Sequence, residues 1–93
     1  MPYLLIRQRF SDYPTWREAF DSLSDRRGEA GIRTVLVTRN SQEPDEAVVL
    51  FEFDDPARVR EHVASGALSA AHERGGVIAG STQAAFLETA PPL

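Results

Sequence analysis

Histidine is the side chain best placed to exchange a proton near neutrality, and this 93-residue sequence has two, His62 and His72. His62 follows Val59 by three positions and precedes Val63, while His72 stands four beyond Leu68. Both spacings put an imidazole on or beside the inward stripe of a helix, where it could act as a general base or acid. A histidine packed at a helix edge with one satisfied hydrogen bond is the plainer alternative. The pair is ten residues apart across a helix break, without the i, i+4 spacing that sets two ligands on one face, and Glu61 and Glu73 fall on other faces. No metal site is expected, and no cofactor.

Arginine supplies every basic side chain; there are ten basic residues and no lysine or cysteine. Schiff-base chemistry, a lysine phosphate cradle, thiolate catalysis, disulfides and cysteine-ligated metals are thereby excluded. An arginine inside a fold stays charged and could hold a carboxylate, phenolate or enolate. Arg7 and Arg33 are the candidates, because they sit on strands among apolar residues. Arg9 and Arg39 lie near strand ends and are expected to reach solvent or pair with Glu43 or Asp45. Gln8 and Glu52 are strand-interior polar groups that need partners if buried. Glu52 could be a base, although pairing with a neighbouring arginine is the simpler role. Tyr3 and Phe51 could line a space for a flat aromatic ligand. Trp16 is a further wall candidate, although its spacing from Tyr13 and Phe20 is also what helix packing demands.

Other chemistries lack their signatures. Gly75-Gly76 and Gly80 follow a helix instead of opening one after a strand, so they form no dinucleotide fingerprint. No nucleophile elbow, phosphate-binding loop or calcium loop occurs. A net charge of −4 argues against nucleic acid as partner. No apolar run approaches eighteen residues, so no membrane partner is expected. Without a signal-peptide pattern, a cytoplasmic location is the expectation.

These residues must be positioned by a small scaffold. Hydrophobic residues at 42% and charged residues at 26% are a globular composition, and the length allows a single domain over residues 1–93. Residues 3–10 read as a strand in which Tyr3, Leu5, Arg7 and Arg9 alternate with Leu4, Ile6, Gln8 and Phe10. Ser11-Asp12 caps a helix with Pro14 in its first turn, and Tyr13, Trp16, Phe20 and Leu23 form its stripe. Gly31 is the expected stop. Residues 32–40 and 47–53 are strands joined by a polar turn into a hairpin. Asp54-Asp55-Pro56 opens a second helical region that breaks at Ser65-Gly66 and ends at Gly75-Gly76. Residues 84–88 form a last strand, and 89–93 a flexible tail.

The order β-α-β-β-α-β is an α+β, ferredoxin-like arrangement: four antiparallel strands with two helices on one face. Two helices cover only one sheet face, yet the strands are apolar on both. Val49, Phe51 and Phe53 point one way while Val48 and Leu50 point the other. A second copy packed sheet against sheet would cover the bare face, so a two-fold homodimer is expected.

The pattern Asp12-Tyr13-x-x-Trp16-x-x-x-Phe20 after an arginine-bearing strand, with the run Val48-Val49-Leu50-Phe51-Glu52-Phe53-Asp54-Asp55, resembles the dimeric α+β-barrel superfamily. That group comprises antibiotic-biosynthesis monooxygenases, stress-responsive A/B-barrel proteins and some aromatic polyketide cyclases. The resemblance implies a cofactor-independent enzyme of secondary metabolism that takes a hydrophobic, aromatic or polyketide-like molecule. The quinone-forming members use a cavity asparagine and tryptophan. Here the one tryptophan, Trp16, is on the helix stripe and the one asparagine, Asn40, is at the hairpin turn. That departure places cyclisation, dehydration or related proton transfer ahead of oxygenation. His72 or His62 would move the proton, and Arg7 or Arg33 would stabilise an enolate. The alternative is a non-catalytic dimer that binds a small ligand or stabilises a partner.

Overall fold

The computed structural model describes residues 2–90. Four strands, β1 (Tyr3–Arg9), β2 (Ile32–Arg39), β3 (Glu46–Phe53) and β4 (Gln83–Leu87), form one antiparallel sheet in the order β2-β3-β1-β4. Between them run α1 (Tyr13–Ser22) and α2 (Ser24–Glu29), then α3 (Pro56–Val63) and α4 (Gly66–Arg74). This is the expected ferredoxin-like sheet, with four helical segments where two helical regions were expected. Of the expected tail, 91–93 lie outside the described residues, and 89–90 follow β4 without regular structure.

Local chemistry explains the element ends. The Asp12 carboxylate accepts from the Thr15 N–H at 3.1 Å and from the Thr15 hydroxyl at 2.6 Å. Asp55 accepts from the Ala57 N–H at 2.9 Å, and Pro56 fills the position where a missing N–H costs nothing. Ser65 caps α4 through the Leu68 N–H, at 3.2 Å. Gly31 takes a φ of +71° immediately after the C-cap of α2, the left-handed stop that glycine accepts without strain. The break between α1 and α2 has no breaker residue. The Leu23 N–H turns back to the Phe20 carbonyl at 3.2 Å, and the Arg27 guanidinium donates to the same carbonyl at 2.9 Å. Those two bonds occupy the acceptor that a continuous helix would use.

Strand alternation sorts the sheet into two faces. Leu4 and Gln8 of β1 and Ala47, Val49, Phe51 and Phe53 of β3 are buried on the helix-covered face. Tyr3, Leu5, Arg7, Val48 and Leu50 occupy the other. In β2 the register shifts between Thr34 and Leu36, and the extra residue, Val35, is a bulge. The bulge moves Leu36 to the open face opposite Leu50 and Val37 to the helix face opposite Val49. Leu36 is consequently 56% exposed in the single chain.

Candidate functional site

The helices leave space over β1, β3 and β4. The result is a cavity of about 320 Å³, at the small end of the range for small-molecule sites. Its floor is the helix-facing row of the sheet, with Leu4, Ile6 and Gln8 beside Val49 and Phe51. Phe86 and Val63 also line it and are 51% and 53% exposed, so the cavity opens to solvent beside them. The wall is overwhelmingly apolar, and no carboxylate among the described residues faces it.

One side is an aromatic ladder dictated by the helix spacing. Trp16 stacks on Phe10 with ring centres 5.5 Å apart and on Phe20 at 5.0 Å, and Phe20 meets Phe51 at 6.1 Å. A polar link ties this ladder to the sheet. The Trp16 indole N–H donates to Gln8 Oε1 at 2.8 Å, and Gln8 Nε2 donates to the Thr82 hydroxyl at 3.1 Å. Trp16 and Gln8 are both buried, so each satisfies a group that the other would leave stranded. Thr82 reaches this position because the segment after α4 is sewn to the end of β1. Phe10 bridges Val77, the Ile78 N–H donates to the Arg9 carbonyl at 2.9 Å, and the Arg9 N–H donates to Ser81 Oγ at 3.1 Å.

The helices α3 and α4 bring the two histidines to the cavity wall. His62 and His72 are both half-buried and both line the cavity. Burial pushes each imidazole below its ordinary pKa; for His62 the nearby positive charges of Arg27 and Arg26, and then His72, add to the effect. Both are therefore neutral at neutral pH, with a ring nitrogen able to accept a proton. Among the described residues neither imidazole hydrogen-bonds within the chain.

The structure separates the other sequence candidates. Gln8, Phe51 and Trp16 line the cavity with the histidines. Arg7, Arg33, Tyr3 and Glu52 do not, because strand alternation turns them to the open face. There Arg7 pairs with Glu46 at 2.8 Å, and Arg33 pairs with Glu52 at 2.7 Å and Asp54 at 3.0 Å. Hydrogen bonds to Asp54 and then Glu52 hold the Arg33 guanidinium protonated, while bonds from Asn40 and then Arg7 lower the Glu46 pKa. The expectation that Arg7 or Arg33 faces an enolate in the cavity is thus corrected. Apolar sequence neighbours on a strand belong to the other face and say nothing of what surrounds the arginine. Arg9 pairs with Glu43 and Asp45, each at 3.5 Å, and Arg39 stacks on Tyr13 at 4.4 Å and donates to the Pro44 carbonyl.

Two arginines line the cavity: Arg60, exposed at the mouth with its guanidinium 5.8 Å from the Phe86 ring centre, and Arg27, which is buried. Arg27 is 7% exposed, its guanidinium lies 4.0 Å from the centre of the Phe20 ring, and burial lowers its pKa. Its signal was present: Tyr13, Trp16, Phe20 and Leu23 run at spacings of three, four and three, and Arg27 continues the stripe four residues on.

No protein-family model matches the sequence, and no curated protein matches it. Solved structures do. A protein from Bordetella bronchiseptica, provisionally named an antibiotic biosynthesis monooxygenase, superposes with a TM-score of 0.77 at 8% identity, over 97% of each chain. One from Caulobacter crescentus CB15 with the same provisional name gives 0.75 at 17% identity, over 97% of this chain and 90% of the other. A NIPSNAP domain protein from Burkholderia xenovorans gives 0.69 at 14%, over 97% and 95%. Identities this low carry the fold; chemistry must be argued from the residues.

Proposed function

Taking the antibiotic-biosynthesis-monooxygenase-like fold as the frame, we propose that this chain, folded as one domain, binds a flat hydrophobic molecule, aromatic or polyketide-like, in the helix–sheet cavity and moves a proton on it without a cofactor. The observation that carries this reading is the pair of neutral imidazoles lining an apolar cavity that the aromatic side chains Trp16, Phe20 and Phe51 also line. The ladder offers π-faces to a planar ligand. The cavity mouth at Phe86 and Val63 admits it. His72, with His62 as its neighbour in charge, takes a proton from an acidified C–H or O–H, and the carbanion or phenolate so formed can cyclise, eliminate or react with oxygen. The names of the structural neighbours favour the last fate. Trp16 does line the cavity, but the absence of Asn40 from its wall favours the first two.

The open sheet face belongs to the same proposal. Leu5, Leu50 and Leu36 form its apolar centre, and the Arg7–Glu46 and Arg33–Glu52 pairs border it. A second copy related by a two-fold axis would cover the leucines and meet charges of both signs.

Proton transfer is testable without knowing the natural substrate. 2-Tetralone is flat, fused to a benzene ring and acidic at C1. Its deuterium exchange in D2O, followed by proton NMR, should be accelerated saturably by the protein. His72→Ala should lose about a hundredfold of that acceleration or more, the low end for a positioned general base. Exchange that never exceeds buffer would leave the cavity a binding site without catalysis, and a His72→Ala protein as active as the parent would overturn His72 as the base.

A further inference from the structure

We propose that Arg27 is the anion-recognition group of the cavity, so that the molecule bound there carries a carboxylate or phenolate whose charge meets the Arg27 guanidinium while its ring lies along Phe20 and Phe51. The proposal rests on the reading of the cavity as a binding site and names the chemical class that the site selects.

Three observations support it. First, a guanidinium is costly to bury without a counter-charge. Arg27 is 7% exposed, yet among the described residues no carboxylate lies within ion-pair distance of it; Asp21 acts on its charge from further away and is itself paired with Arg17 at 3.0 Å. The other arginines that form ion pairs, Arg7, Arg9, Arg17 and Arg33, all do so at the surface. Second, its hydrogen-bonding capacity is mostly unspent. One terminal nitrogen donates to the Phe20 carbonyl at 2.9 Å, which closes the end of α1, out of five N–H donors in the group. No side-chain nitrogen in the described residues is sealed away without a partner. The unspent N–H groups therefore keep some exposure, and Arg27 is a lining residue of the cavity. Third, the group is held in place. It lies 4.0 Å from the Phe20 ring centre and 5.9 Å from that of Phe51, so its plane is fixed before a ligand arrives.

A purely architectural role, stacking on Phe20 and capping α1, uses the charge but only one of the donors. An anion in the cavity would use the rest in the forked geometry that guanidinium offers to carboxylates. It would also offset the positive charge that now depresses the His62 pKa.

The test compares two probes of one shape, 2-naphthoate and 2-naphthamide, titrated calorimetrically at pH 7.5 into the full-length protein. The parent should prefer the carboxylate by about tenfold or more, as expected for a charge-assisted pair in a largely dry site. In Arg27→Met, which keeps an unbranched apolar stem over Phe20, that preference should collapse while naphthamide affinity stays within about twofold. Arg27→Lys should keep part of it. An independent readout needs no variant: the His62 imidazole, followed by NMR, should titrate at higher pH with naphthoate bound than with naphthamide bound. Equal affinities in the parent, or a carboxylate preference that survives in Arg27→Met, would overturn the role of Arg27 and leave the cavity reading standing. Failure of both probes to bind would overturn the cavity reading and this one with it.

Discussion

Replacing Gln8 by leucine tests whether the polar link is what fastens the ladder to the sheet. The two side chains are close in volume, so the change is chiefly the loss of two hydrogen bonds. The Trp16 N–H, now 2.8 Å from Gln8 Oε1, would be left buried without a partner, which costs about 1–3 kcal/mol. Loss of the 3.1 Å bond to Thr82 adds about 0.5–1 kcal/mol. Burial of the leucine side chain returns about 1–2 kcal/mol. The balance is a loss of about 1–2 kcal/mol, or about 4–16 °C in Tm for a domain of this size. Trp16→Phe strands the other partner, Gln8 Oε1, and also leaves a void. The double variant Gln8→Leu/Trp16→Phe strands neither, so its loss should fall short of the summed single losses by about 1–2 kcal/mol. Urea denaturation followed by far-UV circular dichroism measures all four corners at a fixed protein concentration. Losses additive to within about 0.5 kcal/mol would refute the reasoning. They would mean that the indole N–H finds solvent in the cavity and that Gln8 is free to serve a ligand.

The histidines predict a pH dependence of stability. Each has a folded pKa below its ordinary 6.5, so below that pH the unfolded chain binds more protons than the folded one and stability falls as pH drops. Urea midpoints should decline from pH 7.5 to 5.5, and His62→Asn/His72→Asn should flatten the decline; an unchanged slope would show that burial does not hold the imidazoles neutral. Asp12, Glu46 and Asp54 are also lowered, from 3.8, 4.5 and 3.8, so their share disappears only at more acid pH. The open face makes a separate prediction. The parent should sediment as a dimer at micromolar concentration, and Leu36→Glu should give a folded monomer, since Leu36 is already 56% exposed in the single chain. A parent that sediments as a monomer would remove the need for a second copy.

Chain-local physics was legible from the residues alone. The Asp12, Asp55 and Ser65 caps, the Gly31 stop, the hairpin and the break before Gly66 are decided by groups within a few residues of one another, and each stands close to where the sequence places it. So did the antiparallel four-stranded sheet, because two helical regions between short strands leave few arrangements. The three wall residues Gln8, Phe51 and Trp16, and the two histidines, were legible as ligand candidates because their types stand out against an apolar background.

Which side of the sheet holds the cavity was not in the sequence. Both faces of β1 and β3 are apolar, so alternation defines two rows without saying which one the helices cover. That choice is made when α1 to α4 pack, and it sends Leu4, Ile6 and Gln8 inward and Tyr3, Arg7, Arg33 and Glu52 outward. The bulge at Val35 shifts the register of β2 and exposes Leu36, which no hydrophobic count would predict. Arg27 shows the same division most sharply. Its stripe position is a local fact, whereas a buried guanidinium without an ion-pair partner depends on which charges the packed elements bring near it. A sequence lists the charges along the chain; only the packing of remote elements decides which of them are left facing an empty space.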